Sequence, residues 1–361
     1  TTKIQPPSFS RAIKQRILPA GLIIFGIISS FAHAEARTTF ETTLANGLKV
    51  IIREDHRSPM VMTQIWYKVG SSDESGNILG ISHVLEHMMF KGTSKVPNNE
   101  FTRLSRIYGG SVNASTYTNY TSYYQLYPKA YFPLALELEA DRMSNLLLRQ
   151  QDFAPEIKVV MEERRLRTDD QPRAMLMEQL YATMFSAHPY RRPIVGWMSD
   201  LQAMRPDDAR SFYRDWYAPN NAAVVVAGDV DAQQVKTWAQ QYYGPMAARA
   251  LPERKPRTEP QQLGIKRISV KQPAEQAYVA LAWKVPALRR VTDMTADDKD
   301  ALALLVLSGC STPVYENQYA VSEGWRIGKV TKLVTAEEFL KTGSPRCQGR
   351  SEEHTSELQS L

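Results

Sequence analysis

The chain has 361 residues, of which 43% are hydrophobic, so it is long enough to form roughly two globular domains with substantial cores. Its formal net charge is +6, but Lys3, Arg11, Lys14 and Arg16 supply four of these charges before residue 35, where there are no acids. The rest of the chain carries only 6 − 4 = +2 and has no stripe of basic and aromatic residues, which excludes a nucleic-acid-binding surface.

The first 34 residues have the pattern of a secretory signal peptide. After the positive charges, Ile17–Phe31 is an apolar run interrupted only by small residues and proline, and Ala32-His33-Ala34 matches an A-x-A cleavage site. Because the run is shorter than a comfortable membrane span, a cleaved signal is favoured, and an uncleaved anchor is the alternative. We therefore expect a mature protein that starts near Glu35 and works in a bacterial periplasm or outside the cell, with membrane contact only if the signal is uncleaved.

Strand patterns and helix patterns follow over residues 38–245, the predicted catalytic domain. Asn46-Gly47 is a strong hairpin signal between the first two strands. Strands and helices segregate rather than alternate strictly, which predicts an α+β fold, a mostly antiparallel sheet layered with helices. Strands are predicted over Thr38–Thr43, Leu48–Arg53, Val61–Lys68 and Ala222–Ala227, and helices over Phe101–Tyr108, Tyr131–Leu148, Phe153–Arg167, Met175–Ser186, Pro206–Trp216 and Asp231–Tyr243.

The most informative motif is His83-Val84-Leu85-Glu86-His87, which reads H-x-x-E-H and follows the third predicted strand. On a helix, His83 and His87 lie four positions apart on one face, where two imidazoles can bind one zinc ion. Glu86 can reach a water on the same metal and accept its proton. Histidine is scarce, with six in 361 residues, so a surface helix that carries this pair by chance is the weaker interpretation.

A catalytic zinc site needs a third protein ligand. Glu156, Val160 and Glu163 fall at i, i+4 and i+7 of a predicted helix and so share one stripe. Two carboxylates beside an apolar residue are costly to bury unpaired, and a metal with its histidines would satisfy them. Glu163 as ligand with Glu156 in support is the natural division, but a solvated charged helix paired with the two following arginines explains the spacing equally well.

The segment Gly80–Thr93, G-I-S-H-V-L-E-H-M-M-F-K-G-T, resembles the metal helix of the inverted-zincin metallopeptidases of the pitrilysin, insulysin and mitochondrial processing peptidase family. That family places a glutamate ligand about 76 positions after the second histidine, and 163 − 87 = 76. The resemblance implies that His83, His87 and Glu163 bind one zinc ion per catalytic domain and that Glu86 is the general base. It also implies a bacterial secreted enzyme of the two-domain type.

The resemblance also assigns the residues around these ligands. Glu156 lies seven positions before Glu163 (163 − 156 = 7) and matches a supporting glutamate of the family. Glu162 is the rival ligand, but the spacing favours Glu163. His188 precedes a proline in a loop-like run, and the metal already has its set, so we interpret this histidine as structural.

The segment Tyr108–Tyr124, Y-G-G-S-V-N-A-S-T-Y-T-N-Y-T-S-Y-Y, has the β-branched and aromatic content of an edge strand after a Gly-Gly turn. It resembles the family segment that lines the cleft and pairs with the substrate backbone. Asn113 and Ala114 occupy the matching positions, so the resemblance implies that they bind substrate. An ordinary sheet strand is the alternative.

A second domain is predicted after a linker. Residues 246–262 are rich in proline, arginine and glutamate without an apolar period, which is typical of a linker. Strand patterns over Lys266–Val270 and Ala277–Trp283 then begin a new unit. By the resemblance, residues 263–310 are a truncated domain similar to the first but without a metal site.

The last part of the sequence departs from the family. Residues 311–349 no longer resemble the peptidases, and we interpret them as a chimeric segment joined near residues 300–310. Residues 350–361 resemble a translated sequencing adapter, so His354 is not counted as a ligand. Cys310 and Cys347 form no metal pattern and no disulfide framework.

The residues and the resemblance together predict a zinc-dependent endopeptidase that hydrolyses unstructured peptides, bound in extended conformation. The alternative is a non-catalytic or weakly active partner subunit of a processing-peptidase-like complex. In the family, the far half of the cleft supplies an arginine and a tyrosine that hold the substrate, and neither is identified in this sequence. A homo- or heterodimer partner is one expected source of that half.

Overall fold

The computed structural model describes residues 39–97, 100–255 and 257–285, five residues between 295 and 301, and residues 326–327. Several segments singled out in the sequence lie outside the described residues. They are the predicted signal peptide (residues 1–34), both cysteines, residues 311–349 apart from 326–327, and the adapter-like residues 350–361. Among the described helices, none combines the length and the apolar character that crossing a membrane requires.

Six of the described strands form one sheet: β1 (Thr39–Thr43), β2 (Lys49–Glu54), β3 (Met60–Tyr67), β4 (Ser111–Thr116), β5 (Thr121–Pro128) and β6 (Ala222–Gly228). Their order is β1-β2-β6-β3-β5-β4, and every neighbouring pair is antiparallel except β2 and β6. Strict alternation of buried and half-buried residues along β3 and β5 turns one face of the sheet toward the core. The predicted mostly antiparallel sheet and its first hairpin are confirmed.

Eight helices accompany this sheet within the described residues: α1 (Ile81–Met88), α2 (Glu100–Ile107), α3 (Phe132–Asn145), α4 (Gln150–Arg164), α5 (Pro172–Met184), α6 (Met198–Ala203), α7 (Pro206–Trp216) and α8 (Ala232–Tyr243). The bounds of α7 are those that its sequence predicts, and the acids in its first turn suit the helix dipole. The short helix α6 is missing from the prediction. The α+β fold class is confirmed.

The single edge strand predicted within Tyr108–Tyr124 is wrong, because this segment forms a hairpin of two strands. β4 pairs with β5, with Ala114 opposite Tyr123, and the N–H of Tyr117 donates to the carbonyl of Tyr120 to close the turn. The edge position itself is correct for β4, which is the terminal strand of the sheet. Because β-branched and aromatic residues continue through the whole segment, the sequence pattern does not mark the turn.

The strands predicted over Lys266–Val270 and Ala277–Trp283 are also wrong, because neither segment has strand structure. Apolar side chains in this region face solvent, with Leu263 92% and Val279 85% exposed. A strand pattern becomes a strand only where a neighbour completes its backbone hydrogen bonds, and no described strand lies beside these residues. A two-residue strand at 284–285 does pair with residues 326–327.

The loop before α1 packs backbone against backbone on the loop before α6. Gly80 and Gly196 have positive φ angles of 97° and 84°, which favour glycine. A Cβ on Gly196 would lie 2.1 Å from the carbonyl oxygen of Leu79, and one on Gly80 would lie 2.5 Å from that of Val195. The two glycines therefore set how closely these loops approach, and with it the position at which α1 begins.

Substitution of Gly196 by alanine should destabilise the fold through this contact. Gly76 is a matched control, since its φ is also positive (67°) but nothing lies within 4 Å of an added Cβ. Both variants incur the left-handed backbone penalty of about 1–2 kcal/mol. Only Gly196→Ala adds a collision, so its free energy of unfolding in urea should fall by clearly more than that of Gly76→Ala. Equal losses would show that the loops can move apart freely.

Candidate metal centre

Helix α1 is held at its N-terminus by a buried carboxylate. The Oε2 atom of Glu74 accepts the N–H of Gly80 at 2.8 Å, and Oε1 accepts the N–H of Ser82 at 2.9 Å. These bonds satisfy two backbone donors that a helix end leaves without partners. Burial raises the pKa of Glu74 to about 8, against the effect of these backbone donors. Nothing in the sequence around Glu74 marks this function, because the capping residue lies outside the usual position just before the helix.

The two histidines of α1 and one glutamate of α4 converge on one point. The Nε2 atoms of His83 and His87 lie 3.7 and 3.3 Å from Oε2 of Glu163, and the two imidazole rings are 4.7 Å apart between centroids. Seven of the eight residues of α1 are buried, and His83 is the exception. Packing of α4 on α1 therefore brings together His87 and Glu163, which are 163 − 87 = 76 positions apart in sequence.

This donor set fits a zinc ion. Bonds of about 2.0–2.1 Å in tetrahedral geometry require ligand atoms roughly 3.3 Å apart, close to the 3.3 and 3.7 Å that separate the histidine nitrogens from Oε2 of Glu163. The three candidate ligand atoms all lie within 4.8 Å of one another. Two imidazoles and one carboxylate are also the ligand set of a known class of catalytic zinc sites, which leave a fourth position open.

Neighbouring charges orient the ligands. The Nδ1–H of His87 donates to Oε1 of Glu156 at 2.8 Å, which directs Nε2 toward Glu163. The other Glu156 oxygen pairs with Lys91 at 2.5 Å, and Oε1 of Glu163 pairs with Arg167 at 2.5 Å. Lys91 and Arg167 were missed by the sequence analysis; Lys91 has no distinctive spacing from Glu156, whereas Arg167 lies four positions after Glu163 (167 − 163 = 4), a spacing that could have indicated the pair.

The protonation of the two histidines differs because their surroundings differ. Burial, and then the charge of His87, lowers the pKa of His83 to about 3, so this imidazole is neutral and able to bind metal. Burial alone would lower the pKa of His87, but hydrogen bonds to Glu156 and Glu163 raise it to about 9 in the protein without metal. Metal binding at Nε2 of His87 therefore has to displace a proton.

The carboxylate of Glu163 is ionised throughout the neutral range. Burial alone would raise its pKa, but the hydrogen bond from His87 and the neighbouring charges of His83 and Arg167 lower it to about 2. Its neighbour Glu162 is 56% exposed at the side chain and pairs with Arg165. The structure thus brings Glu163, and not Glu162, to the histidines.

Glu86 lies on the same helix and is only 5% exposed. The hydroxyl of Thr116, on strand β4, donates to its Oε2 at 2.5 Å. Burial raises the pKa of Glu86, although this hydrogen bond acts in the opposite direction. A buried carboxylate with one oxygen held and a raised pKa is suited to accept a proton and to return it.

Asn113 and Ala114 lie on β4 at the edge of the sheet, three and two positions before Thr116 (116 − 113 = 3, 116 − 114 = 2). Ala114 is buried and Asn113 is half-buried, and the Asn113 side chain accepts the N–H of Ala114 at 2.9 Å. Strand β4 is therefore next to the candidate centre through Thr116, and Asn113 and Ala114 precede Thr116 on this strand.

His188 is not part of the cluster. It is buried, its Nδ1 accepts the N–H of Tyr190 at 3.3 Å, and its ring lies 4.3 Å from the Tyr190 ring between centroids. Among the described residues, the group of histidines, cysteines and acids that could hold a metal comprises His83, His87 and Glu163. The structural interpretation of His188 agrees with these contacts.

Removal of the carboxylate beside His87 should weaken metal binding without abolishing it. Glu156→Ala leaves all three ligands in place but frees the ring of His87 and unpairs Lys91. Loss of such a supporting hydrogen bond typically costs about 10- to 100-fold in metal affinity. Competition with a fluorescent zinc chelator measures the affinity, and Glu162→Ala on the exposed side of the same helix is the control. Equal affinities for the two variants would show that Glu156 does not support the ligand.

Comparison with known proteins agrees with this geometry. The model of the insulinase family (peptidase family M16) matches residues 49–196, and that of the M16 inactive domain matches residues 203–310. The chain therefore belongs to peptidase family M16.

Among its relatives is the zinc protease PqqE of Helicobacter pylori, 33% identical over 305 residues that cover 82% of this chain and 68% of the relative. A crystal structure of a protease from Helicobacter pylori has a TM-score of 0.68 at 35% identity and covers 70% of this chain and 62% of its own. The first half of the periplasmic protease PqqL from Escherichia coli has a TM-score of 0.55 at 25% identity, covering 60% and 48%. The chain thus spans half to two thirds of the length of such relatives.

Proposed function

We propose that this chain is a zinc-dependent endopeptidase that hydrolyses unstructured peptides. The observation that carries the proposal is the convergence of His83, His87 and Glu163 on one point. The carboxylate of Glu86 lies on the helix that carries the two histidines. Membership of a peptidase family that includes proteins named zinc proteases supports it.

In the proposed reaction, His83, His87 and Glu163 hold the metal. When bound, zinc supplies Lewis-acid chemistry, which makes water more acidic and polarises a carbonyl group. Glu86 accepts the proton of the attacking water and then returns it to the leaving amine. Thr116 holds one Glu86 oxygen during both transfers, so the proton moves at the other oxygen. Glu156 keeps the ring of His87 in position.

We propose that the peptide binds in extended conformation along strand β4, with Asn113 and Ala114 among the residues it meets. The strand is the terminal one of the sheet, and an added strand would run past Thr116 and therefore past Glu86. Affinity in this mode rests mainly on backbone hydrogen bonds, so the preference for particular side chains should be loose. Such binding requires an unfolded segment of substrate, since a folded strand is already paired.

The proposed organisation keeps the catalytic domain at residues 38–245, the linker at 246–262 and a partial second domain at 263–310. The proposed location is the periplasm or the outside of the cell, after removal of residues 1–34. PqqL of Escherichia coli, one of the structural relatives, is titled a periplasmic protease. A second half of the cleft, from the same polypeptide or from a partner subunit, would complete the enclosure of the substrate.

Metal removal is the direct test of the proposed function. A quenched fluorescent peptide of about ten residues should be cleaved by zinc-loaded protein, and a chelator should abolish cleavage. Stoichiometric zinc should restore it, while magnesium should not, since imidazole ligands favour zinc over magnesium. Zinc binding at one ion per chain without any cleavage would instead favour the non-catalytic partner subunit. Cleavage that persists in chelator would contradict the proposal.

A further inference from the structure

A cleft of about 420 Å³ lies beside the N-terminal end of α1. Three guanidinium groups line it, those of Arg191, Arg192 and Arg257, together with Leu79 and Trp197. The volume is within the range of roughly 300–1,000 Å³ that is typical of small-molecule pockets. None of these five residues takes part in the metal centre described above.

Within the described part of the chain, the guanidinium groups of this arginine cleft take part in no ion pair. Arg191 donates to the carbonyl oxygen of Ser186 at 2.8 Å, and Arg192 donates to that of Glu74 at 2.5 Å. Among the described residues, no carboxylate pairs with Arg191, Arg192 or Arg257, whereas Arg254 nearby in sequence does pair with Asp73. Two of the three guanidinium groups are therefore held in place by neutral carbonyl oxygens.

The two buried acids next to the cleft are engaged elsewhere. The carboxylate of Glu74 accepts the N–H groups of Gly80 and Ser82. The carboxylate of Glu259 accepts three consecutive backbone N–H groups, of residues 186 to 188, at 2.7–2.8 Å and pairs with Lys284 at 2.8 Å. Neither carboxylate has an oxygen left without donors for the arginines.

Crowding of like charges is visible in the properties of Arg192. Burial lowers the pKa of its guanidinium, and the positive charges of Arg257 and Arg191 lower it further, against the opposing effect of Glu74. The neighbouring positive charges destabilise the charged form of this guanidinium. An anion that enters the cleft stabilises the charged form, because it reduces the repulsion between the arginines. The cleft is thus prepared for an anionic ligand rather than for a neutral or cationic one.

We propose that the arginine cleft binds a small compound that carries two or more phosphate groups. Guanidinium forks bind phosphate oxygens in bidentate fashion, which a lysine cluster does not achieve. A single carboxylate, such as one acidic side chain of a peptide, would neutralise only one of three positive charges in a cleft of this size. A di- or triphosphate balances the cleft, and the same chemistry is offered by an inorganic polyphosphate or by the phosphate chain of a nucleotide.

Isothermal titration calorimetry on the zinc-loaded full chain tests the proposal, with zinc content measured before and after each titration. Sodium tripolyphosphate should bind to the wild-type chain with one site, more tightly than inorganic phosphate. The double variant Arg191→Gln/Arg257→Gln should weaken binding at least about tenfold, as expected for loss of charge-assisted hydrogen bonds. Arg173→Gln, on helix α5, should bind like the wild type, and unfolding curves of all variants check their stability.

The other probes decide the class and the source of the ligand. If ATP binds more tightly than tripolyphosphate, the ligand is a nucleotide. If the two bind equally, the phosphate chain alone is recognised. Either result supports the proposal. Absence of tripolyphosphate binding to the wild type would overturn it. So would an equal loss of binding in Arg173→Gln, or tighter binding of a hexaglutamate peptide than of tripolyphosphate.

Discussion

Replacement of Glu86 by glutamine should lower the rate of peptide hydrolysis by about 10²- to 10⁴-fold, the usual contribution of a general acid–base group. Glutamine has nearly the same size and can still accept the hydrogen bond from Thr116, so the surroundings of residue 86 are preserved. It cannot take up a proton from the attacking water. The metal ligands are unchanged, and zinc should remain at one ion per chain.

Zinc content and hydrolysis must therefore be measured on the same preparation of Glu86→Gln. The expected result is full zinc occupancy with nearly abolished kcat, and an unchanged unfolding midpoint. If kcat stays within about threefold of the wild type, Glu86 is not the general base and the assignment is wrong. Loss of zinc together with loss of activity would show that Glu86 supports the metal site instead of the proton transfer.

Much of this centre could be predicted from the sequence because its pattern is local. His83, Glu86 and His87 lie within one and a half turns of α1, where helical periodicity alone fixes which side chains share a face. Glu163 required the family resemblance, since the helix stripe by itself was equally compatible with a solvated surface. The structure then separates Glu163 from Glu162 through their burial and ion partners.

The contacts that were missed depend on tertiary packing. Glu74 caps α1 from a loop, Thr116 reaches Glu86 from strand β4, and Lys91 reaches Glu156 on another helix. None of these pairs has a fixed spacing in sequence, so no motif announces them. The candidate metal centre is thus a local motif held by non-local partners.

The errors in the fold have a related cause. Alternating patterns predicted strands in Lys266–Val270 and Ala277–Trp283, yet strand formation depends on a neighbour that completes the backbone hydrogen bonds. The six-stranded sheet provides such neighbours, and β3 lies between β5 and β6 over most of its length. Strand patterns therefore matched the structure for β1, β2, β3 and β6, while the Tyr108–Tyr124 pattern missed the turn between β4 and β5.

Replacement of Glu163 by glutamine should remove most of the bound zinc and with it the hydrolytic activity. The neutral amide is a poor ligand for zinc, and the remaining pair of imidazoles falls short of the three protein ligands of a catalytic site. The matched control is Glu162→Gln, one position away on α4, which removes the same charge from an exposed side chain paired with Arg165.

Zinc per chain by atomic absorption should be near zero for Glu163→Gln after dialysis and near one for Glu162→Gln. The contrast follows from geometry, because Oε2 of Glu163 lies 3.3 and 3.7 Å from the Nε2 atoms of His87 and His83, whereas Glu162 is exposed and pairs with Arg165. Equal zinc loss in the two variants would trace the effect to the net charge of the helix and would remove Glu163 from the ligand set. Equal retention would mean that the third ligand lies elsewhere, and the proposed endopeptidase site would have to be rebuilt around His83 and His87 alone.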